Sequence, residues 1–452
     1  MPSTRLTRRR LLAGVSSILL GGCVSTARTP ELTGHDWPMP GRDPGRTGYA
    51  PAATPPRTEP DVAWNATPDP ASGLSPIVAN GTLYYQTSDT LFVLDPKTGA
   101  GKRVGTYSSF EGTAAPAFAP SQAYRDGMYI VPYGNEIVSH PAAPNTWPES
   151  IAQNGRQRMR WSSVGESLAV GSHPAGRYTR AVARPIPVGG AVVFRSGGPN
   201  GNRVTVLDVD DGSVVWNRRV GRSFDVTDPP RLRVSTTVVD TDDEKIVSSY
   251  RAGPRFPGGL EARDMRDGSH RWSRQLGDSH DAIAASDGTV FVSVSEPSRE
   301  RATLVAVATD DGHTRWKRPL SVVERYGLAV DDTHCYHLGS SASDGDGPLR
   351  VTAVAREDGT RAWSREVGVA SSYGLGTATQ HPTVGGSVVF APGGEMIHAF
   401  DAQTGERLWQ FGRTVETSGG SQTPRRPMTP VLPVGDRLVA VMTLALYGLE
   451  GA

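Results

Sequence analysis

His334-Cys335-Tyr336-His337 is the tightest group of soft metal ligands in the chain. Its flanks, Leu328-Ala329-Val330 and Leu338, read as a strand, whose two-residue alternation sends His334 and His337 to opposite faces. One ion cannot take both, so the pattern predicts a packed strand and no metal centre. Asp344-Gly345-Asp346-Gly347 opens like a calcium loop, but Pro348 holds the third ligand position and Ala355 the place of the terminal Glu. It reads as an exposed loop between strands. No G-x-S-x-G, H-E-x-x-H or phosphate-loop pattern occurs, so the sequence nominates no catalytic residue. Cys23 and Cys335 are the only cysteines, and no haem-attaching C-x-x-C-H is present.

The ordered feature of the chain is a repeat. Asp211-Gly212, Asp267-Gly268, Asp311-Gly312, Asp358-Gly359 and Thr404-Gly405 are each followed by a Trp four residues after the Gly: Trp216, Trp272, Trp316, Trp363 and Trp409. A short apolar run precedes each copy. A near-fixed period of this kind marks a repeat architecture. Gly supplies the left-handed turn position, the Asp bonds the turn's own backbone, and the Trp lands on the returning strand to fill the gap between neighbouring units. A second hairpin lies upstream in each unit, as in Ile77-Val78-Ala79-Asn80-Gly81-Thr82-Leu83. Four strands per unit make one blade of a propeller.

Counting units gives an all-β, eight-bladed propeller of four-stranded blades. The second unit ends at Trp161 after a stretched, degenerate turn from Pro141 to Gln157. The first carries Thr98-Gly99 but Arg103 in place of Trp. The last, Val431 to Leu449, lacks an outer strand, while Asp61-Val62-Ala63-Trp64-Asn65 stands alone before the first unit. Pairing Trp64 and its neighbours with the C-terminal strands closes the ring and leaves no open edge. Seven blades is the alternative, should the degenerate second unit not form one.

Composition fits this reading, with 52 Gly and 36 Pro among 452 residues and no long helical apolar period. The amino terminus reads as an address. Arg8 and Arg9 lie in a twin-arginine signature, and Leu20-Gly21-Gly22-Cys23 looks like a lipobox that exposes Cys23 for lipid attachment. Residues 1–22 are therefore expected to be a signal peptide, 23–60 a Pro/Thr/Gly-rich tether, and 61–452 the propeller. Losing four Arg and no acid moves the formal charge from +1 to −3, and neither value predicts nucleic-acid binding.

The repeats resemble the PQQ-like (pyrroloquinoline-quinone-like) propeller superfamily, in which each blade carries L-x-A-L-D-x-x-T-G-x-x-x-W. Ile397-His398-Ala399-Phe400-Asp401-Ala402-Gln403-Thr404-Gly405-Glu406-Arg407-Leu408-Trp409 is the nearest copy. Trp37-Pro38-Met39-Pro40-Gly41-Arg42-Asp43-Pro44-Gly45-Arg46-Thr47-Gly48 looks like the segment that precedes such propellers. With the lipobox and Arg bias, the whole is similar to secreted PQQ-like lipoproteins of halophilic archaea. The resemblance implies the fold more strongly than a function, because its motif residues build blades. The family's alcohol dehydrogenases hold the quinone and a calcium ion with a vicinal disulfide, a Glu, an Asn and a catalytic Asp. With Cys23 lipidated, only Cys335 is left and that disulfide cannot form.

Two functions follow as expectations. The first is a membrane-tethered, extracytoplasmic, non-catalytic binding or scaffold propeller that holds no cofactor. The alternative is a PQQ-dependent quinoprotein dehydrogenase, with PQQ and Ca, acting on an alcohol or sugar. A binding site is expected where the inner strands begin, at the mouth of the channel: Ser75, Arg184, Asp228, Asp281, His381, Arg426 and Thr429. A solvated rim that satisfies backbone groups is the plain reading of the same residues. The blade tryptophans Trp64, Trp161, Trp216, Trp272, Trp316, Trp363 and Trp409 are expected to be structural.

Overall fold

A computed structural model of the chain describes residues 32–451, except 68–74, 88–89, 107–115, 125, 134–135, 143–159, 163–183, 197–202, 222–233, 252–257, 296–300, 323, 343–346, 370–380, 417–421 and 444. Eight antiparallel sheets of four strands form a ring, and Arg413–Glu416 pairs with Gln422–Arg425 in a separate two-stranded sheet. Blade 1 runs from the inner strand Ile77–Ala79 to the outer strand Gly101–Thr106, and blade 2 from Ala117–Ala119 to Trp161–Ser162. Blade 3 spans Ile186–Val188 to Val214–Arg219, blade 4 Val234–Asp240 to His270–Gln275, and blade 5 Asp278–Ser286 to Thr314–Pro319. Blade 6 spans Glu324–Val330 to Arg361–Val369, and blade 7 Thr383–Gly385 to Arg407–Phe411. The degenerate second unit is a blade, so the count is eight and the seven-bladed alternative falls.

Blade 8 takes three strands from the carboxyl end, Leu432–Val434, Arg437–Met442 and Ala445–Gly451, and its outer strand, Pro60–Ala66, from the amino end. Asn65 pairs with Tyr447 and Pro60 with Gly451 across that seam. Hydrogen bonding therefore joins the two ends of the chain, and the last blade has no open inner-to-outer gap.

The core is divided by the sheets. Apolar clusters lie between neighbouring blades, as in Val193, Val206 and Trp216 of blade 3 against Val239 and Ile246 of blade 4. The repeat motif welds most of these joints. Trp161, Trp216, Trp272, Trp316 and Trp363 donate the indole N–H to a carbonyl just past the third strand of the next blade, as in Trp161 to Val209 at 2.8 Å, Trp216 to Met265 at 2.8 Å, Trp272 to Thr309 at 2.9 Å and Trp363 to Ala402 at 2.9 Å, whereas Trp409 donates to Pro56, ahead of the outer strand of blade 8, at 2.9 Å. The indole also lies against the turn glycine of that next blade. A Cβ on Gly312 would sit 2.6 Å from the Trp272 ring, so the turn needs Gly for its neighbour's sake as well as for its φ of 74–76° at Gly212 and Gly312. Asp-Gly and Trp in one repeat thus serve two different joints.

The two departures in the sequence belong to one joint. Arg103 replaces the Trp of blade 1, and blade 2 lacks the Asp-Gly turn that would receive it. Tyr84, on the second strand of blade 1, takes over: its hydroxyl donates to the Ala142 carbonyl at 2.6 Å and its ring stacks on Tyr129 at 5.1 Å. Ala142 follows the third strand of blade 2, as Val209 does in blade 3.

The turn carboxylates set an acid limit. Asp211, Asp267, Asp311 and Asp358 accept the N–H two residues on at 2.8–2.9 Å. Bonds from the side chain and N–H of Ser213, and from the N–H and side chains of Ser269, His313 and Thr360, hold the four below the ordinary carboxylate range. A depressed folded pKa gives stability that is present above the unfolded value of about 3.9 and lost as pH falls through the folded value. The melting temperature is expected to hold from pH 7 to about 5 and fall below about 4. Asn at all four positions should make that fall shallower; an unchanged profile would dissociate these turns from acid unfolding.

Candidate functional site

The channel edges of the inner strands are bonded by the chain's own amino-terminal segment. The inner strand of each blade is a sheet edge facing the axis, and its backbone groups need partners there. Residues 37–54 supply them in turn. Trp37 and Val78 of blade 1 exchange backbone bonds at 2.7 and 2.9 Å, and Pro38 accepts from Phe118 of blade 2 at 2.7 Å. Pro44, Gly45, Thr47 and Gly48 accept from Val239, Ala285, Val330 and Val384 of blades 4 to 7, each at 2.8 Å. Thr54 donates to Gly435 of blade 8 at 2.8 Å. Blade 3 is reached by Arg46, whose guanidinium bonds the Arg184, Thr237 and Pro40 carbonyls at 3.5, 3.1 and 3.4 Å.

The motif residues make this plug compact. Asp43 accepts the Thr47 N–H at 2.9 Å and also its hydroxyl, while Gly48 donates to the Gly41 carbonyl at 2.9 Å. Burial pushes the Asp43 carboxyl above its ordinary range, against the pull of the Thr47 bonds. Tyr49–Ala50 then adds a short parallel strand to the inner edge of blade 7. Residues 32–60 were expected to belong to the tether, yet Trp37, Met39 and Ala50 are buried. Residues 1–31, with Arg8, Arg9 and Cys23, are outside the described residues. The sequence signal for the plug is the Trp37–Gly48 segment, which resembles the stretch that precedes such propellers.

The plug's backbone contacts fall at or near the last residues of the inner strands in blades 4, 5, 6 and 8 and mid-strand in blades 1, 2 and 7, while Arg46 also holds the Arg184 carbonyl ahead of the inner strand of blade 3. The residues that enter the inner strands form the expected mouth. Ser75, Arg184 and His381 each precede an inner strand by two residues and are half-buried there. The His381 ring bonds the Pro382 carbonyl at 3.2 Å through Nδ1. Arg426 is held by blades 7 and 8: Thr443 donates to its carbonyl at 2.8 Å, and its guanidinium is 3.5 Å from Glu395 in a turn of blade 7. Two expected mouth residues are corrected. Thr429 is 1% exposed and its hydroxyl is spent on the Pro430 carbonyl at 3.2 Å, so it does not line an open rim. Asp281 sits within Asp278–Ser286, in the irregular stretch between Ser279 and Ile283, because the inner strand of blade 5 starts three residues earlier than its apolar run suggests. Asp228 falls outside the described residues.

The motifs with possible metal chemistry are accounted for structurally. His334–Ser340 is a strand; His337 is 1% exposed while His334 bonds Thr333 through Nδ1 at 2.8 Å. Asp310, Asp311 and His313 gather exposed ligand atoms within 4.8 Å of one another, but Asp311 is the cap of its own turn. The quinone set of the family's dehydrogenases does not fit either. Cys335 is a free thiol buried between blades 5 and 6, and burial pushes its pKa up. Glu261, also buried, is tied to Gly221 N–H at 2.6 Å, the Tyr250 hydroxyl at 3.0 Å and Arg263 at 2.5 Å.

Comparison with known proteins agrees with this architecture. A family model described as outer membrane protein assembly factor BamB matches residues 152–318 and again 257–445. The outer membrane protein assembly factors BamB of Salmonella typhimurium and Escherichia coli are each 31% identical over 138 residues, 30% of this chain and 31% of theirs. The chain thus spans about a third of the length of the curated relatives it matches. Among solved structures, BamB from Moraxella catarrhalis superposes with a TM-score of 0.54 at 13% identity, over 87% of this chain and all of that one. A europium-containing methanol dehydrogenase superposes at 0.60 and 12% identity, over 90% and 89%. At such identities the likeness is one of fold. The chain belongs to the PQQ-like propeller family whose model is described as outer membrane protein assembly factor BamB.

Proposed function

We propose that the protein is an extracytoplasmic, membrane-tethered scaffold that binds a protein partner at the mouth face of its propeller and performs no catalysis. One observation carries this reading: residues 37–54 tie the inner strands together with backbone bonds along the channel, so the loops that lead into those strands are what the ring offers a partner. Similarity to proteins named as assembly factors supports a scaffold role. In the same reading Arg8 and Arg9 direct export, Cys23 carries the lipid, and the chain holds neither PQQ nor calcium.

The test is capture of partners from native membranes with the full-length protein, against Arg184→Ala, His381→Ala and Arg426→Ala combined. Capture is expected to fall at least about tenfold, a loss of roughly 1.4 kcal/mol in binding, with little change in melting temperature. A soluble Cys23→Ser form of the wild type should keep the partner and lose the membrane. Equal capture by the triple variant would remove the mouth from the proposal. Dye reduction by wild-type protein loaded with PQQ and calcium, above a heat-denatured control, would replace the scaffold with a dehydrogenase.

A further inference from the structure

We propose that the two-stranded ribbon of Arg413–Glu416 and Gln422–Arg425 docks an extended, acidic segment of the protein partner by adding it as a third strand. The proposal rests on the reading of the loops that lead into the inner strands as the partner face, and it names the loop and the chemistry of what it holds. The ribbon is the connection from the outer strand of blade 7 to the inner strand of blade 8. Among the described residues no further strand pairs with either of its sides. Arg413 and Thr414 are exposed.

The two sides of the ribbon offer different things. Thr414 is paired with Pro424, which has no N–H to exchange, so the backbone groups of this pair point away from the ribbon. On the Gln422–Arg425 strand the outer side therefore lacks a donor at Pro424, the device by which edge strands are kept from pairing. On the Arg413–Glu416 strand the N–H and C=O of Thr414 point outward, and by alternation so do those of Glu416. One edge of the ribbon is blocked and the other can take a strand.

The arginines select the charge of that strand. Arg413 and Arg425 lie directly opposite each other in the register, a placement in which like charges repel. Each lies against an aromatic ring, and neither has a carboxylate partner among the described residues. The Arg413 guanidinium is 4.4 Å from the centre of the Phe411 ring, that of Arg425 is 5.8 Å from the Tyr447 ring, and the two rings meet edge to face at 6.2 Å. Residues 413–426 carry three Arg and one acid, Glu416, so the loop is left positive. Met396 is 37% exposed at the base of the ribbon, 3.2 Å from where a Cβ on Gly412 would stand, and adds an apolar contact. Carboxylates on the added strand relieve the repulsion between the two guanidinium groups, and its backbone meets the open edge.

The probe is the peptide acetyl-Glu-Val-Glu-Val-Glu-Val-amide, titrated into the full-length protein at low ionic strength and followed by ligand-observed NMR. It is expected to bind with a Kd of about 0.1–1 mM, and its Gln-for-Glu analogue at least about tenfold more weakly. The acidic peptide methylated at every backbone nitrogen keeps its charge and loses its ladder donors, and should also weaken at least about tenfold. Thr414→Pro removes an outward N–H and no bond within the ribbon, so binding should fall by a similar factor while the melting temperature holds. Arg413→Gln with Arg425→Gln should do the same through charge. No binding of the acidic peptide at about 5 mM, equal binding of its Gln analogue or its methylated form, or full binding to a folded Thr414→Pro protein would each overturn the assignment. If Thr414→Pro lowers the melting temperature, the methylated peptide decides. Peptide binding that fails while partner capture still depends on Arg184, His381 and Arg426 removes the ribbon and leaves the scaffold standing; loss of that dependence removes the scaffold reading itself.

Discussion

Trp64→Ala is expected to destabilise the propeller by about 3–5 kcal/mol, the range for removing a large buried aromatic side chain. Trp64 lies on the strand that the amino end lends to blade 8, and its ring packs with Leu83 and Leu94 of blade 1 and Val439 and Leu446 of blade 8. Its indole donates to the Pro96 carbonyl at 3.0 Å, and a Cβ on Gly99 would sit 2.5 Å from the ring. One side chain therefore joins the first blade to the last, at the seam where the ring would otherwise open. Trp64→Phe should cost less, about 1–3 kcal/mol, since it keeps most of the apolar area and loses the N–H bond. Chemical denaturation of both variants measures the difference. A Trp64→Ala protein as stable as wild type would mean that ring closure does not depend on this joint.

The sequence made this seam legible because blade residues repeat. Five copies of Asp/Thr-Gly followed by Trp defined the unit, and the gaps could then be read as gaps. A blade without a Trp at Arg103 and a last blade without an outer strand pointed to the strand at Trp64. The compensation by Tyr84 was not legible. It comes from the second strand of blade 1, outside the motif, and its bond to Ala142 depends on three-dimensional register. The plug was hidden for a different reason. Residues 37–54 bind the blades mainly through their own carbonyls, and a backbone acceptor leaves no mark in residue type. Its Pro and Gly content, needed for the tight course across the channel, is the composition that otherwise reads as a linker. Ser75, Arg184 and His381 do precede inner strands, because those strands begin close to their apolar runs. Asp281 instead lies within a longer, irregular strand that starts earlier.

Gly45→Val is expected to cost about 2–4 kcal/mol, combining the strain of overpacking with loss of one backbone bond. Gly45 crosses the channel against blade 5, where its carbonyl accepts the Ala285 N–H at 2.8 Å. A Cβ there would fall well inside van der Waals contact with the Ala285 carbonyl oxygen, a backbone atom that cannot rotate away. The plug must lift from blade 5, and it is tied within a few residues to blades 4, 6 and 7 through Pro44, Thr47 and Gly48. Displacement at one point is therefore expected to loosen several blades together, with faster proteolysis between residues 36 and 56 than in wild type. Gly81→Asn is the contrast: its turn is also left-handed at 66°, but a Cβ meets nothing within 4 Å. It should leave both stability and proteolysis almost unchanged. Equal behaviour of the two variants would show that residues 37–54 lie on the ring without locking it.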